Sequence, residues 1–367
     1  MTPNPSEVDD QSKYLIRLVL VIVGLATLIG IVYMNAPLYR WKILTTFDHE
    51  IESLEFISPS TGWLSEFIPN QERKDDDFWS EKRLGTNRLQ LTQDGGRSWK
   101  IIYQATADGI FKQLRYVNTL KWLLGIKVIF PDRIEQRPKG MLYKSLDGGY
   151  QWEKIGDLPQ GGAYEIYFLN EQQGYFVGDN LFFTSDGGKQ WKFLATIENR
   201  LILAKRYYLG PNHFLYFINQ GIVTGINPWK NQTLNLVLPP HFQPREVLAL
   251  PSKPIVYLIG ELNSKWTLLG YENGKRLSQE VVPIHEADFN VSAFTYGENL
   301  INLVGPATWS FFRPYYFYVR NSKGWYQESL SGFKNFELFA YCGNHAWAVR
   351  IALLKGHREL LRRQGVD

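Results

Sequence analysis

The side chains that could bind a metal ion are scattered along this sequence. Zinc sites built from histidine usually place two ligands a few residues apart. The six histidines show no such spacing, at His49, His213, His241, His285, His345 and His357. The acidic run at 75–77 could attract calcium, but Arg73 and Lys74 precede it and favour a solvated run of charges. We therefore predict no metal site and no cofactor, although a fold that joins distant strands could still bring histidines together.

Arginine recurs in three long segments, residues 66–83, 130–140 and 305–314, and the first and third also contain tryptophan. Truncation of these two residue types often causes the largest losses of affinity at protein–protein interfaces. We predict a partner-binding face formed by Trp79, Arg83, Arg133, Arg137, Trp309 and Arg313. The alternative is that the segments are solvated hairpin tips, with one or two aromatic side chains packed against the body of the fold.

A repeated turn predicts the elements that position these segments. Residues 92–99, 145–152 and 184–191 share the pattern hydroxyl, any residue, Asp, Gly, Gly, two variable residues and Trp, between strand-like runs. In such a turn the aspartate can accept hydrogen bonds from the backbone N–H groups two and three residues further on. Glycine adopts positive φ freely, and the tryptophan covers the turn. We predict a structural role for Asp94, Gly96, Trp99, Asp147, Gly149, Trp152, Asp186, Gly188 and Trp191.

The turn resembles the Asp-box of the BNR-repeat β-propellers. Residues 163–178, followed by 181–191, look like one whole blade of the photosystem II assembly and stability factor family and its bacterial relatives. The resemblance covers about residues 47–195, and beyond them only the rhythm of strands continues. It implies a seven-bladed propeller that serves as a binding scaffold, with no known catalysis. The fold does not imply which partner is bound, because function on such folds lies in the loops.

Sialidases share the Asp-box, so a glycoside hydrolase is an alternative. That family needs an arginine cluster that grips a carboxylate and a Tyr-Glu pair with an acidic partner. Its Phe-Arg-Ile-Pro signature is absent, and the partial match at 312–314 lacks the apolar residue between Arg313 and Pro314. We therefore predict that the protein is not an enzyme.

Read as blades of four strands, the chain predicts a closed ring. Six blades would cover about residues 51–103, 110–155, 163–195, 201–238, 245–282 and 289–330. Residues 336–363 contain only three further strand-like runs. The missing strand is predicted at 41–44, because Trp-Lys-Ile-Leu matches the strand openings that follow the Asp-boxes. We predict an all-β, seven-bladed β-propeller over residues 37–367, closed by an N-terminal strand in the last blade.

A long apolar run precedes this ring. Residues 18–33 are uncharged, and together with 14–17 and Met34 they are long enough to span a bilayer. A cleavable signal peptide is the alternative, but Pro37 would stand directly after a poor cleavage site at 34–36. Basic residues on the two sides of the run are balanced, so the family resemblance decides the orientation. We predict a cytoplasmic tail at 1–13, a transmembrane helix at 14–36, and the propeller on the periplasmic side of a bacterial inner membrane.

Ring closure also predicts which side faces the bilayer. In a propeller, the turns between third and fourth strands lie on one side, and the connections between second and third strands lie on the other. The Asp-boxes are turns of the first kind, and the closing strand begins on their side, a few residues after the predicted helix. The three long segments are connections of the second kind, so they would point away from the membrane.

The composition is compatible with this architecture. The chain has 31 Gly, 18 Pro and 15% aromatic residues, as expected of short strands joined by tight turns. Its net charge of +4 is too small to indicate nucleic-acid binding. The single cysteine, Cys342, excludes an internal disulfide and is predicted to be a buried structural thiol.

These patterns predict a membrane-anchored, extracytoplasmic protein-binding scaffold. The resemblance implies an assembly or stability factor for a membrane protein or a subunit of a membrane complex. Two alternatives within the binding class are a periplasmic module that neutralises a toxin and one that recognises an envelope glycan.

Overall fold

The structure is a computed structural model that describes residues 19, 41–69, 85–106, 110–117, 120–129, 139–159, 165–178, 180–196, 207–210, 213–249, 255–283, 289–296, 299–306, 315–321, 324–330, 336–342, 345–351 and 357–363. Within these residues only Val19 is helical, and the remaining regular structure consists of strands. In chain order the strands are β1 (Trp41–Phe47), β2 (Glu50–Phe56), β3 (Gly62–Pro69), β4 (Gly85–Thr92), β5 (Lys100–Thr106), β6 (Ile110–Val117), β7 (Trp122–Ile129), β8 (Lys139–Ser145), β9 (Glu153–Asp157), β10 (Glu165–Phe168), β11 (Gly174–Val177), β12 (Asn180–Thr184), β13 (Lys192–Thr196), β14 (Tyr207–Leu209), β15 (Leu215–Asn219), β16 (Ile222–Asn227), β17 (Gln232–Asn235), β18 (Gln243–Ala249), β19 (Ile255–Leu262), β20 (Lys265–Glu272), β21 (Lys275–Val281), β22 (Phe289–Tyr296), β23 (Asn299–Pro306), β24 (Tyr315–Asn321), β25 (Gly324–Leu330), β26 (Phe336–Cys342), β27 (His345–Ile351) and β28 (Arg358–Arg363).

The strands of the described residues form seven antiparallel sheets of four strands each. The first six sheets take consecutive strands, from β2–β5 to β22–β25. The seventh has the order β1-β28-β27-β26, so the N-terminal strand lies beside the last strand of the chain. Trp41 pairs with Arg363 and Phe47 with Arg358. The predicted closure by the N-terminal strand is therefore confirmed, and this strand continues three residues beyond the predicted 41–44.

The sheets follow one another around a ring. The first strand of the first sheet, β2, contacts both β6 of the second sheet and β26 of the seventh. The same kind of contact joins β6 to β10, β14 to β18, and β18 to β22. First strands are thus innermost and fourth strands outermost. The first sheet touches both the second and the seventh, so the first and last sheets of the chain lie side by side.

The hydrophobic core lies between neighbouring sheets. Where the ring closes, Phe56 of the first sheet stacks on Trp347 of the seventh, with ring centroids 3.7 Å apart. Buried residues of the second and third sheets, including Leu124, Ile126 and Phe176, form a second such layer. Middle strands are buried on both sides, as the pattern of β7 shows. Each sheet therefore depends on its neighbours for the burial of its apolar side chains.

The Asp-box turns join third to fourth strands, as predicted, but their hydrogen bonding differs from the predicted pattern. Oδ1 of Asp94 accepts bonds from the backbone N–H groups of Arg97 and Ser98, each at 2.9 Å. In the second turn, Asp147 accepts from the amides of Tyr150 and Gln151 at 3.0 Å. The amides lie three and four residues beyond the aspartate, not two and three, because two glycines with positive φ separate them from it.

The hydroxyl that opens each Asp-box is the buried centre of the turn. The hydroxyl of Thr92 donates to Asp94 at 2.9 Å and accepts the amide of Gly96 at 2.9 Å. Ser145 and Thr184 repeat both bonds, at 2.7–3.0 Å. All three hydroxyl residues are at most 1% exposed. A buried group that satisfies two partners at once explains why the pattern begins with Ser or Thr.

The second glycine of each Asp-box packs against the preceding sheet. A Cβ atom at Gly96 would lie 2.9 Å from Leu360, one at Gly149 would lie 2.8 Å from Leu89, and one at Gly188 would lie 3.1 Å from Leu142. Each leucine belongs to the third strand of the sheet before. The glycine is therefore required by this close approach as well as by its positive φ.

Indole groups tie the Asp-box turns to neighbouring sheets. Trp347 of the seventh sheet donates to the carbonyl of Gly95 at 2.9 Å, and Trp63 of the first sheet donates to the carbonyl of Gly148 at 2.8 Å. The Asp-box tryptophans Trp99 and Trp152 donate to glycine carbonyls of their own turns, at 3.2 and 3.0 Å. The indole N–H of Trp191 is buried without an acceptor in the described part of the chain. The turns thus hold adjacent sheets together on one side of the ring.

Candidate protein-binding face

We call the side of the ring that carries the third-to-fourth-strand turns the Asp-box face. The opposite side, which carries the second-to-third-strand connections, is the insertion face. The three predicted long segments are connections of the second kind, between β3 and β4, β7 and β8, and β23 and β24. The six predicted partner-binding residues, Trp79, Arg83, Arg133, Arg137, Trp309 and Arg313, lie within these connections and outside the described residues.

The first insertion begins later than predicted. The sequence suggested a loop from Glu66, but β3 continues to Pro69, which pairs with Gly85 of β4. Glu66 itself is 3% exposed and accepts hydrogen bonds from Gln90 at 3.0 Å and Arg88 at 3.2 Å. Its carboxylate is buried because these two neighbours on β4 satisfy it. The base of the insertion is therefore a fixed part of the sheet.

Charged side chains surround the inner strands at the insertion face. Glu52, Lys112 and Arg245 are each the extra residue of a β-bulge near the start of an inner strand. A bulge changes the direction in which a side chain points. Glu52 and Lys112 form an ion pair between the first and second sheets, and Arg245 bonds Glu261 at 2.9 Å. These charges compensate one another, so they stabilise the inner strands more than they create an open ionic site.

A pair of exposed β-branched residues marks the same face on the fourth sheet. Ile222 begins β16, and Val237 follows the last strand of that sheet. The amide of Leu236 donates to the carbonyl of Val223 at 3.0 Å, which continues the strand pairing and places Ile222 beside Val237. Their exposed fractions are 55% and 79%. Apolar side chains this exposed side by side are typical of contact surfaces.

Sequence reasoning missed this apolar pair. Both residues lie in apolar runs that read as ordinary buried strand. Their neighbours Val223 and Leu236 are buried between sheets, so the alternation of side chains places Ile222 and Val237 outside. The alternation could have been read from the sequence only if the register of β16 and β17 had been known.

The remaining predicted chemistry is limited. Within the described residues no group of three or more side chains is arranged to hold a metal ion. The acidic run 75–77, His285 and the partial sialidase match at 312–314 lie outside them. Cys342 is only partly buried, which corrects the prediction of a buried thiol. Burial, together with the nearby charge of Glu55, raises the pKa of this thiol.

No helix of the described residues is both long and apolar enough to cross a membrane. The predicted anchor at 14–36 lies outside those residues, apart from Val19.

No protein-family model matches the chain, and no curated protein matches it. Among solved structures, a structure of YCF48 bound to a D1 peptide shows 15% identity over 90% of this chain and 98% of its own, with a TM-score of 0.55. YCF48 from Cyanidioschyzon merolae shows 13% identity over 89% and 99%, with a TM-score of 0.53. A chain of the mitotic checkpoint complex shows 8% identity over 90% and 96%, with a TM-score of 0.54.

The fold is a β-propeller that resembles YCF48. The resemblance to the photosystem II assembly factor family, first indicated by the Asp-boxes, is thereby confirmed for the fold. Identities of 8–15% show a shared propeller and leave the partner open.

Proposed function

We propose that this propeller is a scaffold that binds a protein partner on its insertion face, and that the partner is a membrane protein or a subunit of a membrane complex during assembly. In this proposal residues 14–36 anchor the chain in a bacterial inner membrane and the propeller lies on the periplasmic side. The protein acts by binding and not by catalysis.

The placement of the insertions carries this proposal. Three segments that contain Arg, two of them also Trp, all occupy second-to-third-strand connections, and the exposed pair Ile222 and Val237 lies on the same face. Interfaces combine an apolar centre with aromatic and arginine anchors. The similar propeller YCF48, which has been seen with a bound D1 peptide, supports a peptide or protein as the partner.

The Asp-box face is less suited to binding a specific partner, because its residues are needed for the fold. Its turns are internally hydrogen bonded, and Trp63, Trp229 and Trp347 tie them to adjacent sheets. Substitutions there would alter the ring itself. The insertion face can vary in sequence without such a cost, because loops on a rigid scaffold carry function in many folds.

The proposal is tested by affinity capture from detergent-solubilised membranes after crosslinking. We expect the wild-type chain to retain one partner, and the combined Ala variant of Trp79, Arg83, Arg133, Arg137, Trp309 and Arg313 to lose it. Truncation of a hot-spot residue costs about 2 kcal/mol or more in binding free energy. The combined substitution should therefore weaken binding until capture is no longer detected. Circular dichroism and melting should stay near wild type.

The matched control replaces Lys189 and Gln190, which are exposed on the Asp-box face. This variant should capture the partner as the wild type does. Capture at wild-type affinity by the six-fold variant would show that the partner docks elsewhere. If binding depended only on the two tryptophans and no protein was retained, the insertion face would be a glycan site.

A further inference from the structure

The second Asp-box turn differs from the other two at its variable positions. The residues after the opening hydroxyl and after the glycine pair are Gln93 and Arg97 in the first turn, and Ser185 and Lys189 in the third. In the second turn they are Leu146 and Tyr150, with exposed fractions of 66% and 47%. Of Tyr150, the turn uses only the backbone amide, which donates to Asp147, and not the side chain. These two apolar side chains are therefore free of a role in the fold of the turn.

Tyr150 extends this apolar surface toward the first sheet. It lines a shallow depression between the first two Asp-box turns, together with Leu91, Gln93, Asp94, Ser98, Trp99 and Lys100. Tyr and Trp side chains are enriched where proteins meet the headgroup region of a bilayer, since one end is apolar and the other polar. At this site a leucine, two aromatic rings and a lysine lie beside three polar side chains, and such a mixture suits the headgroup region.

Basic residues surround this site at the same end of the sheets. Among the described residues, exposed cations of the Asp-box face include Arg97, Lys100, Lys121, Lys189, Lys192, Lys230 and Lys275. The exposed acidic residues there include Glu153, which pairs with Lys144, and Glu171. The three Asp-box carboxylates accept hydrogen bonds inside their own turns. These three carboxylates keep their negative charge, because the same bonds lower their pKa values. With Glu153 and Glu171 they make five carboxylates against the seven cations, so the excess charge is positive and complements anionic lipid headgroups.

The chain also holds this face close to the position of the proposed anchor. The strand β1 begins at Trp41 on the Asp-box face, and the apolar run ends at Tyr33. Only residues 34–40 lie between them, and seven residues reach at most about 25 Å when fully extended. A tether this short gives a high effective concentration, so weak contacts with the bilayer are sufficient.

We propose that the Asp-box face docks on an anionic bilayer surface, with Leu146 and Tyr150 in the headgroup region and the surrounding Lys and Arg side chains on anionic lipids. The docking rests on the proposed membrane anchor. It fixes the orientation of the ring, so that the insertion face points away from the membrane toward an arriving partner.

The test uses the full chain in nanodiscs of phosphatidylcholine with phosphatidylglycerol, and in discs of phosphatidylcholine alone. In a Cys342→Ser background, a nitroxide label is attached to Leu146→Cys or, as the matched control, to Ile222→Cys, which is also more than half exposed. We expect the label at 146 to collide with lipid-soluble oxygen and to be shielded from a water-soluble nickel complex in the anionic discs. The label at 222 should remain open to the nickel complex in both kinds of disc.

Hydrogen exchange of the unsubstituted chain provides a second measurement that needs no cysteine change. Residues 145–152 should exchange more slowly in the anionic discs than in the neutral ones, and residues 220–224 should not differ. Equal water access at 146 and 222, together with unchanged exchange at 145–152, would overturn the docking. A chain that stays outside the discs would overturn both the anchor and the docking. If the wild-type chain captured no partner from solubilised membranes but its label at 146 still met lipid, only the scaffold proposal would be contradicted.

Discussion

The third-to-fourth-strand turns of the first three sheets contrast with the corresponding turn of the fourth sheet. In the first three, a buried hydroxyl, an aspartate and two glycines form the turn. In the fourth, residues 228–231 turn through Asn231 at a φ of 50°, and Asn227 accepts the amide of Lys230 at 3.2 Å. Both kinds of turn join third to fourth strands within sheets of the same strand order. The Asp-box is therefore one of several ways to build this ring.

Both kinds of turn are joined to the neighbouring sheet by aromatic side chains. In the fourth sheet Trp229 packs edge-on against Tyr175, with centroids 4.8 Å apart, and donates to the hydroxyl of Ser185 at 3.2 Å. Tyr175 in turn donates to the carbonyl of Ile226 at 3.0 Å. These contacts correspond to the indole bonds of Trp63 and Trp347 to the second and first Asp-box turns. The comparison indicates that aromatic ties between sheets are kept where the Asp-box sequence is not.

Removal of the closing strand should have the largest effect on both regions at once. Deletion of residues 1–46 takes away most of β1, including Trp41, which is 6% exposed, and leaves β28 as an open edge. Loss of a buried aromatic side chain alone costs about 3–5 kcal/mol, so we expect a clear fall in melting temperature. Scanning calorimetry of the truncated chain should show one cooperative unfolding transition, at a lower temperature than that of the full chain.

The control is deletion of residues 1–36, which leaves β1 intact. This variant should melt near the temperature of the full chain. Identical melting of the two truncations would mean that β1 does not close the ring.

An Asp-box hydroxyl should matter more than a hydroxyl of the fourth sheet. In Thr92→Val the buried amide of Gly96 loses its acceptor, and an unsatisfied buried donor costs about 1–3 kcal/mol. Thr224→Val removes a solvent-exposed bond to Asn235, for which about 0.5 kcal/mol or less is expected. Urea unfolding of the two variants measures the difference. Equal losses would contradict the structural importance given to the Asp-box.

Removal of an Asp-box carboxylate belongs to the same comparison. Asp147→Ala or Asp186→Ala should lower the free energy of unfolding by about 0.5–1.5 kcal/mol, because exposed turn amides exchange the carboxylate for water. Partner capture by the folded fraction should be unchanged. Loss of capture at an unchanged melting temperature would place the partner on the Asp-box face.

The smallest expected effect is a pH dependence of the stability that the Asp-box turns contribute, as seen at Asp94. Burial acts to raise the pKa of Asp94, but hydrogen bonds from Ser98, Thr92 and Arg97 prevail and lower it from 3.8 to about 2. The ionised form is thus favoured in the folded state, so its stabilisation is present above pH 3.8 and is lost as the pH falls toward about 2. Asp94→Asn should therefore be less stable than wild type at neutral pH, and the gap should shrink across that window.

The matched control is Asn227→Ala in the fourth sheet, whose turn at residues 228–231 contains no carboxylate. Its stability relative to wild type should not change over the same pH range. A gap between Asp94→Asn and wild type that stays constant from pH 7 to pH 2 would contradict the lowered pKa.

Much of the architecture could be predicted from the sequence because it depends on local chemistry. Strand rhythm and turn residues located the sheets to within a few residues, and the match of 41–44 to the other outer strands predicted the closure. The amide partners of the aspartates were mispredicted because the glycine pair lengthens the turn. The central role of the hydroxyl, seen at Thr92, was missed because its second bond forms only in the folded turn.

Contacts between sheets could not be predicted in the same way. The bond from Trp347 to Gly95 joins residues far apart in sequence, and the exposure of Ile222 and Val237 depends on register. The predicted partner-binding residues rest on loop position and residue type alone, since the chemistry of a loop is not tied to a repeating pattern.

The most direct test of the central claim is photocrosslinking from defined positions on the two faces. A benzoylphenylalanine is placed at Ile222 or Val237 on the insertion face, or at Lys189 on the Asp-box face, in the full chain within its native membrane. We expect the same protein partner to crosslink from 222 and 237 and not from 189. A partner that crosslinks from 189 alone would contradict the account.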